Sequence, residues 1–459
     1  MQDNVAIRKR VCQWSSELCL ARMLDGQHIA VMTHNPRQYL LWLLATCMAC
    51  ASGGEGDRPW GTWEAVVDTV GDTITVHTVS GSVWGDTMVL RPELSIGVLE
   101  GPEEEMFGSV QSIAVTDSGD ILVVDEQVPA IRRFGPDGTY LGDIGREGSG
   151  PGEYKRPASI RILPDDRIVL RDEGNGRINV YAPDGEPLAS WRHPSGATLS
   201  TSRPLYVDTA GNTYTMVLLE VGADVTEWTY GLARFTPTGE HSDTVRAPTW
   251  DFEPATVVAR REGSSSSNSV PFTPSATWTF SPLGYTVGGV STDYRIDHYR
   301  SDAPVLRIER DWTPVPVLSE EKSERERSIT ENFRRGFGSW RWNGPPIPDT
   351  KPPFRRIMVD DDGRTWVQVS QPGYEHMSEE EAREEEERTE RPQHRYRERI
   401  VFDVFDADGR FLGPVKVPDE FQSFPQPRAR GITLWAVTAD ELGVNRVVRF
   451  RMVPMHGEP

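Results

Sequence analysis

The chain has 459 residues, and 69 acidic against 49 basic residues give it a net charge of −20. That charge opposes adsorption to nucleic acid, whose phosphates attract basic surfaces. All four cysteines lie within the first 50 residues. The rest of the chain therefore has no disulfide, thiolate zinc site or cysteine nucleophile. We predict no nucleic-acid partner.

An apolar run with the features of an export signal lies at residues 37–50, where Arg37 precedes a leucine-rich stretch that ends in small residues and cysteine. The run is shorter than the roughly 20 apolar residues that span a bilayer, but it fits the h-region of a signal. We therefore predict that residues 1–50 form a signal segment. The residues before Met32 fit no signal layout, so we expect translation to start at Met32.

The end of this segment resembles the lipobox of bacterial lipoproteins. Cys50 lies between Ala49 and Ala51 and fits the modified position better than Cys47. We predict lipidation at Cys50, with Cys47 and an ordinary cleaved signal as alternatives, and a flexible tether at 51–61. The protein is then an exported lipoprotein of the bacterial cell envelope, held at the membrane by its lipid alone.

A repeated unit of four short β-rich runs occupies most of the chain. It is clearest at residues 112–144 and recurs at 159–192 and 204–245, with first turns spaced 45 to 47 residues apart. Four strands with tight turns at that period are typical of β-propeller blades. The predicted third strands number six: Ile131–Phe134, Ile178–Tyr181, Leu232–Phe235, Tyr294–Tyr299, Val401–Phe405 and Val447–Phe450.

The sixth unit has no fourth strand of its own. The spare run Glu93–Leu99 can supply it and close the ring, which avoids an exposed sheet edge. We therefore predict an all-β protein with a six-bladed propeller at residues 93–453. Residues 62–92 form an N-terminal hairpin whose place the sequence does not give.

Three segments resemble the NHL-type six-bladed propellers, particularly the predicted lipoproteins of that bacterial group. They are Glu93–Gly101, Ile144–Glu153 and Trp340–Asp349. The resemblance implies the fold, but not a function, because propellers support many unrelated activities.

Every long connection falls between blades or between second and third strands, so all are expected on one face, the common location of a binding surface. Ser378 and Glu381 form a capping box that predicts a helix over 379–391, either simply solvated or a patch for cations or a basic partner. Ser319 is expected to cap a second helix, and the serines at 264–267 are expected at a flexible loop tip.

Candidate binding residues lie on that face. Asp125, Asp172 and Glu173 end second strands, where carboxylates either hold a hard cation or bond to the following turn. The aromatic candidates are Trp228, Tyr230, Trp340 and Trp342. Such side chains suit contact with a peptide or a sugar, and the alternative is that they pack over the blades.

No nucleophile elbow, phosphate loop or pair of histidines at metal-ligand spacing is present. We therefore predict a non-enzymatic, monomeric binding or scaffolding propeller that recognises a peptide, a glycan or another envelope protein, with no cofactor. The alternative is a hydrolase or lyase with Ca²⁺ or another divalent cation in the central channel.

Overall fold

The computed structural model describes residues 61–193, 204–222 and 228–456. The predicted signal, both candidate lipidation sites and nearly all of the predicted tether lie outside these residues. The chain forms a six-bladed β-propeller with four-stranded antiparallel blades. Within the described residues, no helix is long and apolar enough to cross a membrane.

Blades one to five each consist of four strands that are consecutive along the chain, apart from insertions. Blade one has Val110–Val115, Ile121–Asp125, Ala130–Phe134 and Tyr140–Asp143; blade two has Pro157–Ile162, Ile168–Asp172, Arg177–Tyr181 and Pro187–Arg192. Blade three has Leu205–Val207, Thr213–Glu220, Thr229–Phe235 and His241–Arg246; blade four has Ala276–Phe280, Thr286–Val290, Arg295–Tyr299 and Val305–Arg310. Blade five has Phe354–Val359, Thr365–Val369, Val401–Phe405 and Phe411–Lys416.

Blade six is completed by a strand from the N-terminal side of the ring, as predicted. Its own strands are Arg428–Arg430, Thr433–Ala439 and Asn445–Pro454, with Phe421–Gln422 beside the second. The closing strand, β3, covers Met88–Ile96, so it begins before the predicted Glu93. It pairs antiparallel with Asn445–Pro454 from Met88 opposite Pro454 to Ile96 opposite Val447.

The N-terminal hairpin consists of β1 (Glu64–Val70) and β2 (Thr73–Ser80) and lies on the outside of the ring. β2 pairs in parallel with the outer strand of blade four, which extends that sheet to six strands. The chain then crosses blade five, where Val83 and Trp84 donate backbone hydrogen bonds to the outer strand. Residues 64–96 therefore form a belt around blades four, five and six.

Apolar clusters fill the space between neighbouring blades. The strands alternate so that one face of each blade packs on the next, and every pair of adjacent blades shares such a cluster. Between blades six and one, for example, Ile96 packs with Val110, Phe134 and Val437. Burial of these faces is the main favourable term in the fold.

Arginines join neighbouring blades at the short turns. Each donates to the carbonyl of a proline that begins a third-to-fourth-strand turn in the adjacent blade. The pairs are Arg133 with Pro183 at 2.7 Å, Arg167 with Pro237 at 3.0 Å, and Arg449 with Pro136 at 2.7 Å. The last pair spans the joint between blades six and one.

Three long connections associate into one body, the insertion layer, defined here as residues 250–275, 311–353 and 371–399. It contains helices α1 (Ser319–Phe337) and α2 (Glu379–Thr389). Ion pairs from Arg327 to Glu386 and from Arg395 to Glu324 tie the α2 segment to α1. Its two-stranded ribbons are Thr256–Arg261 with Ser264–Ser269, Val315–Pro316 with Thr350–Lys351, and Gly373–Glu375 with Tyr396–Glu398. Outside the insertion layer, Arg146–Glu147 pairs with Glu153–Tyr154, and residues Glu103–Glu105 form a 3₁₀ turn.

Two local predictions are corrected and one is confirmed. The serines at 264–267 form part of an exposed strand, not a loop tip, because their backbones pair with Thr256–Arg261. Leu318, not Ser319, is the N-cap of α1, and the Glu321 carboxylate accepts a hydrogen bond from the Leu318 N–H at 3.0 Å. The capping box of Ser378 and Glu381 is present at α2.

Candidate ligand-binding channel

The connections of the propeller divide between its two faces as predicted. First-to-second and third-to-fourth-strand turns are short and lie on one side, which we call the turn face. The longer connections, including the insertion layer, lie on the other side, the insertion face. The predicted binding residues are on or near the insertion face.

Asp125 is fully buried and has a structural role in blade one. Its carboxylate accepts hydrogen bonds from the N–H groups of Gly108 at 2.7 Å and Ser109 at 2.9 Å, and from Gln127 at 3.1 Å. Arg132 lies 3.5 Å away. These donors occupy the carboxylate and hold the segment that leads into the first strand.

Asp172 repeats this arrangement in blade two. It accepts from the N–H groups of Lys155 at 3.1 Å and Arg156 at 3.2 Å, which are the residues equivalent to Gly108 and Ser109. Glu173 pairs with Arg156 at 2.7 Å and with Arg171 at 3.1 Å. The carboxylates of the two blades therefore bond within their own loops and do not meet in one site. Among the described residues, no group of three or more His, Cys, Asp or Glu side chains could hold a metal ion.

Trp228 and Tyr230 lie near the second-to-third-strand connection of blade three, of which residues 223–227 are outside the described part. The Trp228 indole N–H donates to the Gly222 carbonyl at 3.3 Å. Tyr230 is half-buried and packs against the apolar cluster between blades three and four.

Trp340 and Trp342 belong to a small core inside the insertion layer. The Trp340 ring lies edge-on to Phe333 with ring centres 4.7 Å apart, and its N–H donates to the Val258 carbonyl at 2.9 Å. Trp342 lies edge-on to Trp340 at 6.4 Å and donates to the Pro345 carbonyl at 2.9 Å. Both rings are half-buried, so each has a packing role and some surface left for a ligand.

The central channel opens on the insertion face into a cavity of about 420 Å³. The first strands of blades one to five, Met216 of the second strand of blade three, and residues 424–426 line it. Its polar walls come from hydroxyl and amide side chains, and its aromatic walls from Tyr206, Trp278 and Phe424, of which Phe424 exposes 43% of its surface. The hydroxyl and amide side chains are Gln111, Ser112, Ser159, Thr277, Thr279 and Gln426.

The two ends of the channel differ in charge. At the insertion face the charged residues lining the cavity are Arg161 and Arg356. At the turn face the lining includes five aspartates and three arginines, one of which, Arg161, lines both cavities. Among the aspartates is Asp360, whose pKa burial raises to about 7. Its carboxylate accepts the Trp366 indole N–H at 2.8 Å. Among the described residues, the insertion-face cavity is therefore lined by cations without carboxylates, whereas the turn-face cavity is lined by both, with carboxyl groups in excess.

Sequence reasoning did not identify the channel residues, although one signal was present. In the first strands of blades one and two, Ser112-Ile-Ala114-Val aligns with Ser159-Ile-Arg161-Ile. An arginine thus replaces a small residue on an innermost strand, where a charge is unfavourable unless it meets water or an anion.

Comparisons with known proteins agree with this architecture. A family model described as a 6-bladed beta-propeller matches residues 95–206. The human NHL repeat-containing protein 3 is 31% identical over 133 residues, which are 28% of this chain and 38% of that protein's length. The chain is thus a six-bladed β-propeller, and the predicted resemblance to NHL-type propellers is confirmed over this part.

Solved structures similar to the chain share little sequence with it. A DUF4221 family member from Bacteroides vulgatus has a TM-score of 0.46 at 11% identity, over 80% of this chain and 99% of that one. Virginiamycin B lyase from Staphylococcus aureus has a TM-score of 0.37 at 10% identity, over 80% of this chain and all of that one (100%).

Proposed function

We propose that this protein is a non-catalytic, carbohydrate-binding propeller tethered at the cell envelope, and that its ligand enters the channel from the insertion face. The observation that carries the proposal is the composition of the channel mouth. Hydroxyl and amide side chains lie there beside the exposed ring of Phe424, which is the combination that binds sugar hydroxyls and the apolar faces of sugar rings. The cavity also falls within the roughly 300–1,000 Å³ typical of ligand sites.

The engaged carboxylates support binding over metal-dependent hydrolysis. Asp125 and Asp172 are the strand-end residues on which a cation site would depend, and each accepts several backbone N–H groups. A carboxylate used in this way holds its loop and has little capacity left for a cation. No specific observation favours the hydrolase alternative.

Array binding of the purified protein tests the proposal. Glycan and peptide arrays should give glycan binding, and Phe424→Ala should weaken it about 30-fold, the effect of losing an aromatic anchor worth about 2 kcal/mol. Leu141→Ala is the matched control, because Leu141 is a similarly exposed apolar residue, at 55%, on the outer strand of blade one.

Two results would reject the proposal: binding to peptides alone, or glycan binding that Phe424→Ala leaves unchanged. Trp342→Ala in the same assay tests whether the ligand also reaches the insertion layer. We expect weaker glycan binding together with a modest loss of thermal stability, because Trp342 also packs on Trp340. Unchanged glycan binding would limit Trp342 to packing.

A further inference from the structure

The channel mouth on the insertion face is cationic in a protein with a net charge of −20. Arg161 and Arg356 line the cavity, and its described lining contains no aspartate or glutamate. A positively charged site on an acidic protein attracts anions locally, because field lines concentrate in a cleft with low-dielectric walls.

Arg161 is a buried cation with incomplete partners. Its residue surface is 6% exposed, and its Nη1 donates to the Ile160 carbonyl at 2.7 Å and to the Ser112 hydroxyl at 3.4 Å. Within the described residues, no carboxylate lies within salt-bridge distance of it. Asp361, the nearby acid, is already paired with Arg428. Burial, together with the Arg428 charge, lowers the pKa of Arg161 to about 9.

Arg356 reaches the same cavity from the first strand of blade five. Its Nη1 donates to the Ser423 carbonyl, and the described residues place no carboxylate beside it either. Arg356 is exposed, and partial desolvation of its guanidinium lowers its pKa. By contrast, the neighbouring Arg355, which does not line this cavity, is paired with Glu398.

An anion is the partner that these two side chains lack. An unpaired charge as deeply buried as Arg161 is costly, whereas Arg356 is exposed to solvent. Each guanidinium has five N–H donors whose planar fork matches a carboxylate. Hydroxyl and amide side chains line this cavity together with the arginines. A ligand with an acidic group on a polyhydroxylated ring can therefore bind the arginines through its carboxylate and the polar side chains through its hydroxyls.

We infer that the channel mouth binds an acidic sugar, with Arg161 and Arg356 holding its carboxylate. The inference rests on the proposed carbohydrate-binding function and narrows it to one substrate class. The aromatic and hydroxyl-bearing walls then contact the ring, and the arginines distinguish a uronic acid from the corresponding neutral sugar.

Calorimetric titration of the full protein tests the inference with matched probes. D-glucuronate and D-galacturonate are compared with D-glucose and D-galactose, which differ from them in having CH₂OH in place of the carboxylate. We expect at least one uronate to bind more tightly than its neutral counterpart by a factor of about 30 or more, and raised salt to weaken that binding.

Variants assign the effect to the arginines. Arg356→Gln should reduce uronate affinity at least about 10-fold and leave the neutral sugar unchanged, and Arg356→Lys should recover only part of the loss. Arg430→Gln, at the turn-face end of the channel and paired with Asp117, is the control and should bind uronate normally. Arg161→Gln is measured alongside with a thermal scan, because that buried residue also contacts Ile160 and Ser112.

Two outcomes overturn the inference and separate it from the proposed function. Equal binding of acidic and neutral sugars, insensitive to Arg356→Gln, rejects the acidic-sugar site and leaves a carbohydrate-binding propeller. Binding of an acidic peptide, with no binding of any of the four sugars or of the glycans on the array, rejects both.

Discussion

Ring closure by β3 can be tested by removing one buried side chain. Ile96 is 3% exposed, pairs across the sheet with Val447, and lies in the apolar cluster between blades six and one. Truncating such a residue to alanine costs about 2–5 kcal/mol, through lost burial and the cavity left behind. We expect Ile96→Ala to cost about 3 kcal/mol.

The expected shift in melting temperature follows from the size of the ring. The unfolding entropy is about 2.1 cal/mol/K per residue, and the ring from Met88 to Pro454 contains roughly 370 residues. The total is about 0.8 kcal/mol/K, so a loss of about 3 kcal/mol lowers the melting temperature by about 4 °C. Circular dichroism scans at one fixed heating rate measure this shift.

Leu99→Ala is the matched control for this measurement. Leu99 follows β3 closely in the chain but is 60% exposed, so its truncation should cost less than about 0.5 kcal/mol. Equal effects of the two substitutions, or a larger effect at Leu99, would show that closure does not depend on β3 as described.

Two further predictions concern the anchor and the response to acid. Cys50→Ala should release the protein from the membrane fraction, whereas a variant still membrane-bound and acylated at Cys47 would show that Cys47 is the lipid site. Burial and the Arg300 charge lower the pKa of His298 to about 3, so only the unfolded state binds its proton between about pH 6.5 and 3, and stability falls as pH falls. In urea unfolding from pH 7 to 4, His298→Gln should lose stability less steeply than wild type, and parallel curves would contradict this.

Much of the fold is evident in the sequence because its signals are local. Tight turns such as Pro136-Asp-Gly138, and apolar alternation at a steady period, define the four-stranded units. Because blade six has no fourth strand of its own, the sequence also predicts a closing strand beside residues 447–452. The predicted start at Glu93 is too late, since the strand begins at Met88.

The remaining features depend on contacts between distant residues. The partner of the hairpin at 64–80 is an outer strand more than 200 residues later, and no local pattern specifies it. The serines near 264 have weak strand preference, but their backbones pair with a neighbouring strand. In the sequence, Arg161 is a single charged residue within a blade. Its position in the channel becomes evident only when the ring is assembled.

The belt formed by residues 64–96 also determines the order in which the ring can be completed. β3 is synthesised early, but the strand with which it pairs, Asn445–Pro454, is made hundreds of residues later. Until then, the edge of β3 that will meet that strand stays unpaired, and blade six cannot exist. Because such long-range pairing is slow, a chain interrupted before this strand is left with an open ring. Proteases could thus distinguish incomplete chains from complete ones.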